Sequence, residues 1–303
     1  AYGVINSDTA VLEMASVAGL AQLGSERDPL RASSRSLGEL MAAVMDLGYR
    51  KMLIGIGGSA TNDGGMGMLA ALGARFYDGD TLLSGRGEDL TRVTRADISG
   101  LDKRLSETDI TVICDVTNPL LGETGATYVY GPQKGVTDSL LPILEAGMER
   151  YAKLFADMGM DIVTLPGAGA AGGVGAALGG VLKAKMRRGI DAVLDAVHFD
   201  ALLSGADLVV TGEGRLDGQS VRFGKVPAGI AKRCGEKGIP VAVIAGSLGE
   251  GWEGIYGLAR CSVMPIVDGP MPLDAALQNA KALLSSAGER MFRFIGLMQP
   301  QAK

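Results

Sequence analysis

Short apolar runs alternate along the chain with segments in which apolar residues recur every three or four positions. The short runs are rich in Val and Ile, which is typical of buried strands in a parallel or mixed sheet. The recurring spacing predicts helices that bury one face. Strands are predicted over residues 10–15, 51–56, 109–114, 207–211, 240–245 and 262–266, and helices over 37–45, 67–72, 139–158, 175–188, 227–237 and 273–298. This alternation predicts an α/β fold.

Length and charge narrow the class of protein. The chain has 303 residues, enough for one large domain or two smaller ones. Its formal net charge of −5 argues against a nucleic-acid-binding domain, which usually carries a basic stripe. No apolar run reaches the length of about 18 residues that a membrane helix requires, so no membrane partner is expected.

The rarer residue types restrict the possible chemistry. The cysteines are Cys114, Cys234 and Cys261, which are odd in number and far apart, so a reducing cytoplasm is expected. His198 is the single histidine, which excludes multi-histidine metal sites and most Ser-His-Asp triads. Catalysis would therefore depend on carboxylates, lysine, arginine, asparagine and backbone N–H groups.

A glycine-rich segment, residues 55–65 (GIGGSATNDGG), follows the strand predicted over 51–56 and precedes a helix. Such a loop can direct several backbone N–H groups at one anion, beside a helix N-terminus. It lacks the Gly-Lys-Ser/Thr ending of a Walker A loop. The alternative is a tight turn in which Asn62 or Asp63 caps the helix. The number of glycines favours an anion or substrate loop.

Residues 114–122 (CDVTNPLLG) place Asp115 at the carboxyl end of a predicted buried strand, where ligands bind in α/β sheets. Asp115 could hold Mg²⁺ or accept a hydroxyl proton, or it could form an Asx-type turn before Asn118. Lys134 follows in residues 131–135 (GPQKG) and could meet a phosphate, although an exposed lysine is the commoner case.

Residues 166–173 (PGAGAAGG) contain the spacing G-x-G-x-x-G at Gly167, Gly169 and Gly172. This spacing is the dinucleotide-binding fingerprint and suggests an NAD-linked oxidoreductase. Pro166 at the turn and the short preceding apolar run weaken that interpretation. The alternative is close packing of the backbone, which small residues permit.

Residues 211–220 (TGEGRLDGQS) follow another predicted strand and carry Glu213, Arg215 and Asp217 on a loop broken by glycine. Two carboxylates and a guanidinium at a strand end suit a metal and an anion together. A surface loop with internal ion pairs is the alternative. Lys225 lies just ahead of the next predicted helix, which Pro227 can begin.

Seven motifs in this order resemble bacterial glycerate kinases of the first class: residues 54–65, 114–122, 130–135, 166–173, 211–220, 224–227 and 244–249. The resemblance implies phosphorylation of D-glycerate by ATP with Mg²⁺, with 2-phosphoglycerate as the expected product. It also implies two α/β domains, a flavodoxin-like parallel-sheet domain and a mixed-sheet domain inserted into it, with the active site between them. Residues 1–200 are then expected to form the inserted domain and residues 201–303 the C-terminal part of the flavodoxin-like domain.

The resemblance also implies a further N-terminal segment, because residues 1–4 resemble an internal stretch of the family. The flavodoxin-like domain would then lack its first strands and expose apolar edges. Arg35 also stands where the family pattern leads us to expect an aromatic residue.

The residue chemistry suggests roles at the positions that match the family motifs. Asp115 and Arg215 are the catalytic candidates, and Glu213 and Asp217 the magnesium candidates. The substrate- and phosphate-binding candidates are Gly57, Gly58, Ser59, Asn62, Asp63, Asn118, Lys134 and Lys225. ATP and Mg²⁺ are the expected cofactors, D-glycerate is the expected substrate, and a homodimer is possible. The alternatives are the NAD-linked oxidoreductase and a non-catalytic relative that binds small anions.

Overall fold

The computed structural model describes residues 1–24 and 26–297. The chain forms two compact units, unit 1 over Ala1–Gly189 and unit 2 from Ile190 onwards. Both units combine helices with sheets, so the predicted α/β class is confirmed. Among the described residues, no helix is both long and apolar enough to cross a membrane.

The elements alternate along most of the chain. The strands are β1 Gly3–Ile5, β2 Thr9–Glu13, β3 Lys51–Gly55, β4 Arg75–Asp78, β5 Thr81–Leu82, β6 Arg95–Asp97, β7 Asp109–Ile113, β8 Lys185–Arg187, β9 Val209–Leu216, β10 Val241–Leu248 and β11 Cys261–Pro265. The α-helices are α1 Met14–Ala18, α2 Leu20–Leu23, α3 Arg35–Asp46, α4 Met66–Ala71, α5 Ala126–Tyr130, α6 Leu141–Asp157, α7 Val174–Ala176, α8 Gly189–Ala196, α9 Phe199–Leu202, α10 Gly218–Arg222, α11 Val226–Glu236, α12 Leu273–Gln278 and α13 Ala280–Gly296. Short 3₁₀ segments span Gly87–Thr91, Lys103–Glu107, Pro132–Lys134, Ala170–Gly173 and Trp252–Gly257, and Ala177–Val181 is a π-helical turn.

The main sheet of unit 1 has the strand order β1-β2-β3-β7-β8. Strands β2, β3, β7 and β8 run parallel, and β1 pairs antiparallel with β2. Alternate side chains such as Leu12, Ile54 and Val112 are fully buried, because every second residue of each strand faces the core. The parallel strands end along one edge of the sheet, so the loops that follow them come together there.

Two further layers complete the core of unit 1. The antiparallel sheet β5-β4-β6 contributes Phe76, which packs beside Tyr151 of helix α6 with ring centroids 5.8 Å apart. Helix α3 buries one face through Leu37, Met41 and Val44, as its three- and four-residue apolar spacing predicts.

Unit 2 is built on the three-stranded parallel sheet β11-β10-β9. The central strand β10 is buried on both faces over its first five residues, which explains its continuous apolar run. Helix α11 contributes Ala231 and Cys234 to one core cluster, and α13 contributes Ala287 and Met291 to another.

Three sequence predictions need correction. The helix expected over 175–188 ends early, because the chain passes through α7 and the π-helical turn and then forms β8, which pairs with β7. The helix expected over 273–298 is two helices divided at Asn279, and Met298 lies outside the described residues. The strand expected over 207–211 is β9, which continues to Leu216 because its pairing with β10 extends through residues 215 and 216.

Candidate active site

A pocket of about 390 Å³ lies at the carboxyl edge of the main sheet of unit 1. We call it the glycine-loop pocket. Its polar lining includes the backbone of Gly57 and Gly58, together with Ser59, Asp115 and Lys134. The predicted strand-end loops after β3 and β7 therefore meet at one site, together with the segment that carries Lys134.

The loop after β3 is held against residues 18–20. The N–H of Leu20 donates to the carbonyl of Gly58 over 2.9 Å, and the N–H of Ala60 donates to the carbonyl of Ala18 over 2.8 Å. Gly58 has a φ of +67°, which a residue with a side chain adopts at a cost. A Cβ on Gly57 would meet nothing within 4 Å, so the backbone at this point faces open space.

Asp63 lies behind this loop and is fully buried. Its Oδ2 accepts hydrogen bonds from the N–H and the hydroxyl of Ser34, over 2.6 and 2.7 Å, and its Oδ1 accepts from the N–H of Gly65. Burial raises the pKa of Asp63, and these hydrogen bonds act against that shift. The carboxylate does not line the pocket, so its surroundings favour a role in shaping the loop rather than the predicted contact with substrate.

Asn62 is also fully buried and does not line the pocket. Its Nδ2 lies 3.4 Å from Oγ1 of Thr127, and its Oδ1 has no hydrogen-bond partner. The geometry thus gives Asn62, like Asp63, a position in the support of the loop and not in the predicted anion cradle.

Asp115 follows β7 and lines the pocket with an exposed side chain. Its Oδ1 accepts a hydrogen bond of 2.7 Å from the N–H of Gly189, the first residue of α8. Asn118 does not line the pocket, but Tyr130 does. The hydroxyl of Tyr130 donates a 2.7 Å hydrogen bond to Oδ1 of Asn118. Asn118 therefore orients a group of the pocket instead of forming its surface.

Lys134 is the cationic residue among those that line the pocket, and 2% of its surface is exposed. Its Nζ donates a hydrogen bond of 2.7 Å to the carbonyl of Thr61. Burial lowers the pKa of Lys134 to about 7, and the negative charge of Asp63 acts in the opposite direction. A buried lysine that titrates near neutral pH is typical of functional sites. The sequence did not predict this burial.

The other predicted residues lie in unit 2. Glu213 and Arg215 are on β9, two positions apart and hence on the same face of the strand. Asp217 caps α10, because its Oδ1 accepts from both the N–H and the hydroxyl of Ser220 at 2.8 Å. These hydrogen bonds lower the pKa of Asp217, and the charges of Lys225 and Arg215 add to the effect.

The carboxylates of Glu213 and Asp217 are the groups in unit 2 that were expected to hold Mg²⁺. Among residues 1–24 and 26–297, no group of three or more His, Cys, Asp or Glu side chains could hold a metal ion. Mg²⁺ is commonly held by only one or two carboxylates, with phosphate oxygens and water completing the octahedron. Glu213 and Asp217 fit that smaller set in residue type, although one oxygen of Asp217 is already used in capping α10.

The glycines of residues 166–173 pack against other loops. A Cβ on Gly172 would lie 2.0 Å from the carbonyl oxygen of Thr61, and one on Gly169 would lie 2.2 Å from that of Pro119. Residues 161–165 form no strand, so the strand–turn–helix that a dinucleotide fingerprint requires is absent from this described segment. The geometry favours close packing over the NAD interpretation.

Glycine loops at the carboxyl edge of a parallel sheet, with a buried lysine and a carboxylate, define an α/β protein with a polar pocket at the strand ends. The model of the glycerate kinase family matches residues 1–296. The chain therefore belongs to the glycerate kinase family, whose members are phosphotransferases with an alcohol as acceptor, and the predicted enzyme class is confirmed.

Individual relatives agree with this family. Glycerate kinase of Bacillus subtilis (strain 168) is 44% identical over 276 residues, which are 90% of this chain and 72% of that protein. Glycerate 2-kinase of Escherichia coli (strain K12) is 42% identical over 276 residues, with the same two shares. A crystal structure from Salmonella typhimurium LT2, assigned as a glycerate kinase 2, is 43% identical and has a TM-score of 0.82. It covers 98% of this chain and 79% of that one.

Proposed function

We propose that the protein is a glycerate kinase that transfers the γ-phosphoryl group of ATP, with Mg²⁺, to D-glycerate and yields 2-phosphoglycerate. The observation that carries the proposal is the meeting of Gly57, Gly58, Ser59, Asp115 and Lys134 in one pocket. The names of the relatives support the same substrate, and the E. coli relative is named as a 2-kinase.

The pocket suits a small hydroxy acid. Glycerate carries one carboxylate, which the protonated Lys134 and backbone N–H groups of the glycine loop can bind. Because the pKa of Lys134 is about 7 in the free protein, a bound carboxylate would favour its charged form. Ser59, which is almost buried, adds a hydroxyl group to the same wall.

Asp115 is proposed to orient the attacking hydroxyl. In the reaction, a bond forms between the glycerate oxygen and the γ-phosphorus, and the bond from that phosphorus to the β,γ-bridging oxygen breaks. Asp115 would accept the hydroxyl proton as ADP leaves. Phosphoryl transfer depends mainly on positioning and charge neutralisation, so a carboxylate held in place is sufficient to orient the hydroxyl group. The hydrogen bond from Gly189 would fix it.

The candidate residues of unit 2 are proposed to bind Mg²⁺ and the phosphate groups of ATP. Glu213 and Asp217 would hold Mg²⁺, and Arg215 and Lys225 would neutralise phosphate oxygens. When bound, the ion supplies positive charge that offsets the charge developing on the transferred group. We further propose that the parallel sheet of unit 2 is part of the flavodoxin-like domain and that unit 1 belongs to the inserted one.

The test is ³¹P NMR of the protein with Mg·ATP and D-glycerate, compared with 2- and 3-phosphoglycerate standards. We expect a 2-phosphoglycerate signal. In Asp115→Asn, the amide oxygen can still accept from Gly189, but the charge is lost. Its turnover should fall by about 10²–10⁴-fold with the circular dichroism spectrum unchanged. Asp115→Ala, which loses the hydrogen bond as well, is the control for positioning.

Three outcomes would count against parts of this proposal. Normal turnover in Asp115→Asn would remove Asp115 from the mechanism. Glycerate binding without ATP turnover would favour the non-catalytic relative. An absorbance change of NAD with small hydroxy acids would favour the oxidoreductase. It would contradict our conclusion that Gly169 and Gly172 serve close packing.

A further inference from the structure

Unit 1 contains a second pocket, of about 640 Å³, on which the proposed reaction does not depend. Its lining includes three arginines, Arg27, Arg31 and Arg86, and we call it the arginine pocket. The residues that line the arginine pocket and those that line the glycine-loop pocket do not overlap. The two pockets of unit 1 therefore have separate linings.

The charges of the arginine pocket favour an anion. Its lining carries the three arginines against two carboxylates, Glu26 and Asp28. Asp28 is engaged within its own turn, since its Oδ1 accepts from the N–H groups of Leu30 and Arg31. The guanidinium of Arg86 lies 3.9 Å from Glu88, at the outer limit of an ion pair, and is half-exposed. The arginine side chains thus retain N–H donors for a ligand.

We propose that the arginine pocket binds the diphosphate group of a ligand. A guanidinium presents N–H donors in a planar fork that matches the oxygens of phosphate, and several such forks suit adjacent phosphate groups. Ser33 and Thr61 also line the pocket, but the Ser33 hydroxyl donates to the carbonyl of Gly85 and the Thr61 carbonyl accepts from Lys134, so the arginines are the donors left for phosphate. A free diphosphate and the diphosphate of a nucleotide share this chemistry, and the experiment below separates them.

Two hydrogen bonds join the walls of the two pockets. Nη1 of Arg27, in the arginine pocket, donates to the carbonyl of Gln133 over 2.6 Å, and Gln133 lines the glycine-loop pocket. In the opposite direction, Lys134 donates to Thr61, which lines the arginine pocket. A ligand that engages Arg27 would alter the support of Gln133 and Lys134. Occupation of one pocket should therefore change affinity in the other, and by the same factor in both directions.

The test is isothermal titration of the full chain with inorganic pyrophosphate, without glycerate, ATP or Mg²⁺. The double variant Arg31→Gln, Arg86→Gln should weaken binding by at least about tenfold, because it removes two charge-assisted contacts. Arg35→Gln is the matched control, since Arg35 is exposed, pairs with Glu39 and does not line the pocket. Its affinity should stay within about twofold of wild type.

Titration with ADP separates the two sources of the ligand. Tighter binding of ADP than of pyrophosphate, lost in the double variant, would identify a nucleotide. Equal or weaker binding of ADP would identify a free diphosphate. Failure of wild type to bind either probe would overturn the proposal, as would unchanged affinity in the double variant. None of these outcomes depends on turnover, so the proposed kinase activity is tested separately.

Discussion

Replacing Lys134 with methionine should stabilise the fold at pH 6 while removing a charge that the proposed reaction uses. Lys134 is 2% exposed, and its ammonium group donates a hydrogen bond to the carbonyl of Thr61. Methionine has a similar length and no charge, so it fills the same space. The variant isolates the cost of burying the ammonium group.

The magnitude follows from the pKa of Lys134, which falls from the ordinary 10.5 to about 7. At about 1.4 kcal/mol per pKa unit, burial of the charged form costs ~5 kcal/mol at pH 6. Loss of the hydrogen bond to Thr61 returns about 1–3 kcal/mol of this, so a net gain of a few kcal/mol is expected.

The sign of the pH dependence is fixed by the same shift. Below pH 7 both the folded and the unfolded states carry the proton, and this group contributes no slope. Between pH 7 and 10.5 the unfolded state binds more protons than the folded state, so the free energy of unfolding of the wild type rises with pH. The variant lacks this rise, and its advantage should vanish as the pH approaches 10.

The assay is urea unfolding at pH values from 6 to 10, followed by circular dichroism. Lys103→Met is the matched control, because Lys103 is exposed. The difference between Lys134→Met and wild type should shrink steadily with pH, whereas the control should follow wild type throughout. Parallel curves for Lys134→Met and wild type would refute the argument that Lys134 is buried as an amine with a lowered pKa.

The remaining predictions depend on close contacts in each unit and on the pKa of Lys134. Gly172→Ala should strongly lower the melting temperature measured by calorimetry, because its Cβ would lie 2.0 Å from the oxygen of Thr61. Gly57→Ala, whose Cβ would meet nothing within 4 Å, should melt like wild type but bind glycerate more weakly in a titration. Arg233→Ala should lower the free energy of unfolding by about 1–2 kcal/mol, less in 1 M salt, because it pairs with carboxylates of α8 and α9; urea unfolding at two salt concentrations would test this. Glycerate binding at pH 8 should take up a proton in wild type but not in Lys134→Met, as titration in buffers of different ionisation enthalpy would show; equal uptake in both would exclude Lys134 as the proton acceptor.

The strands that form the two parallel sheets were largely predictable, and the exception is informative. Runs such as Lys51–Gly55 and Asp109–Ile113 are apolar, short and followed by turn residues, so local sequence is sufficient. Strand β8, Lys185–Arg187, has two charged residues and is only three residues long, and it becomes a strand by pairing with β7, more than 70 positions earlier. No local pattern indicates such a pairing, and the glycines before it imitate helical spacing.

The position of the candidate site in the fold was predictable, but the burial of its individual side chains was not. The rule that ligands bind at the carboxyl ends of parallel strands selected Asp115, and the capacity of a glycine-rich loop to bind an anion selected Gly57, Gly58 and Ser59. All four line one pocket. The rule cannot say which polar side chains of a loop face inwards. Asp63 is buried because several backbone and hydroxyl donors surround it, and that arrangement depends on segments distant in sequence.

The high glycine content has a physical explanation in how the loops meet. A Cβ on Gly173 would lie 2.6 Å from the Cα of Gly64, and one on Gly172 would reach the oxygen of Thr61, so at these glycines the backbones of the two loops are in direct contact. The N–H of Gly64 also donates to the carbonyl of Gly172 over 2.9 Å. This contact fixes the segment whose Thr61 carbonyl accepts from Lys134. The glycines of residues 166–173, which resemble a dinucleotide fingerprint, therefore position the partner of the buried lysine. We expect a substitution of Gly172 to displace Thr61 and thereby to disturb Lys134 in the glycine-loop pocket.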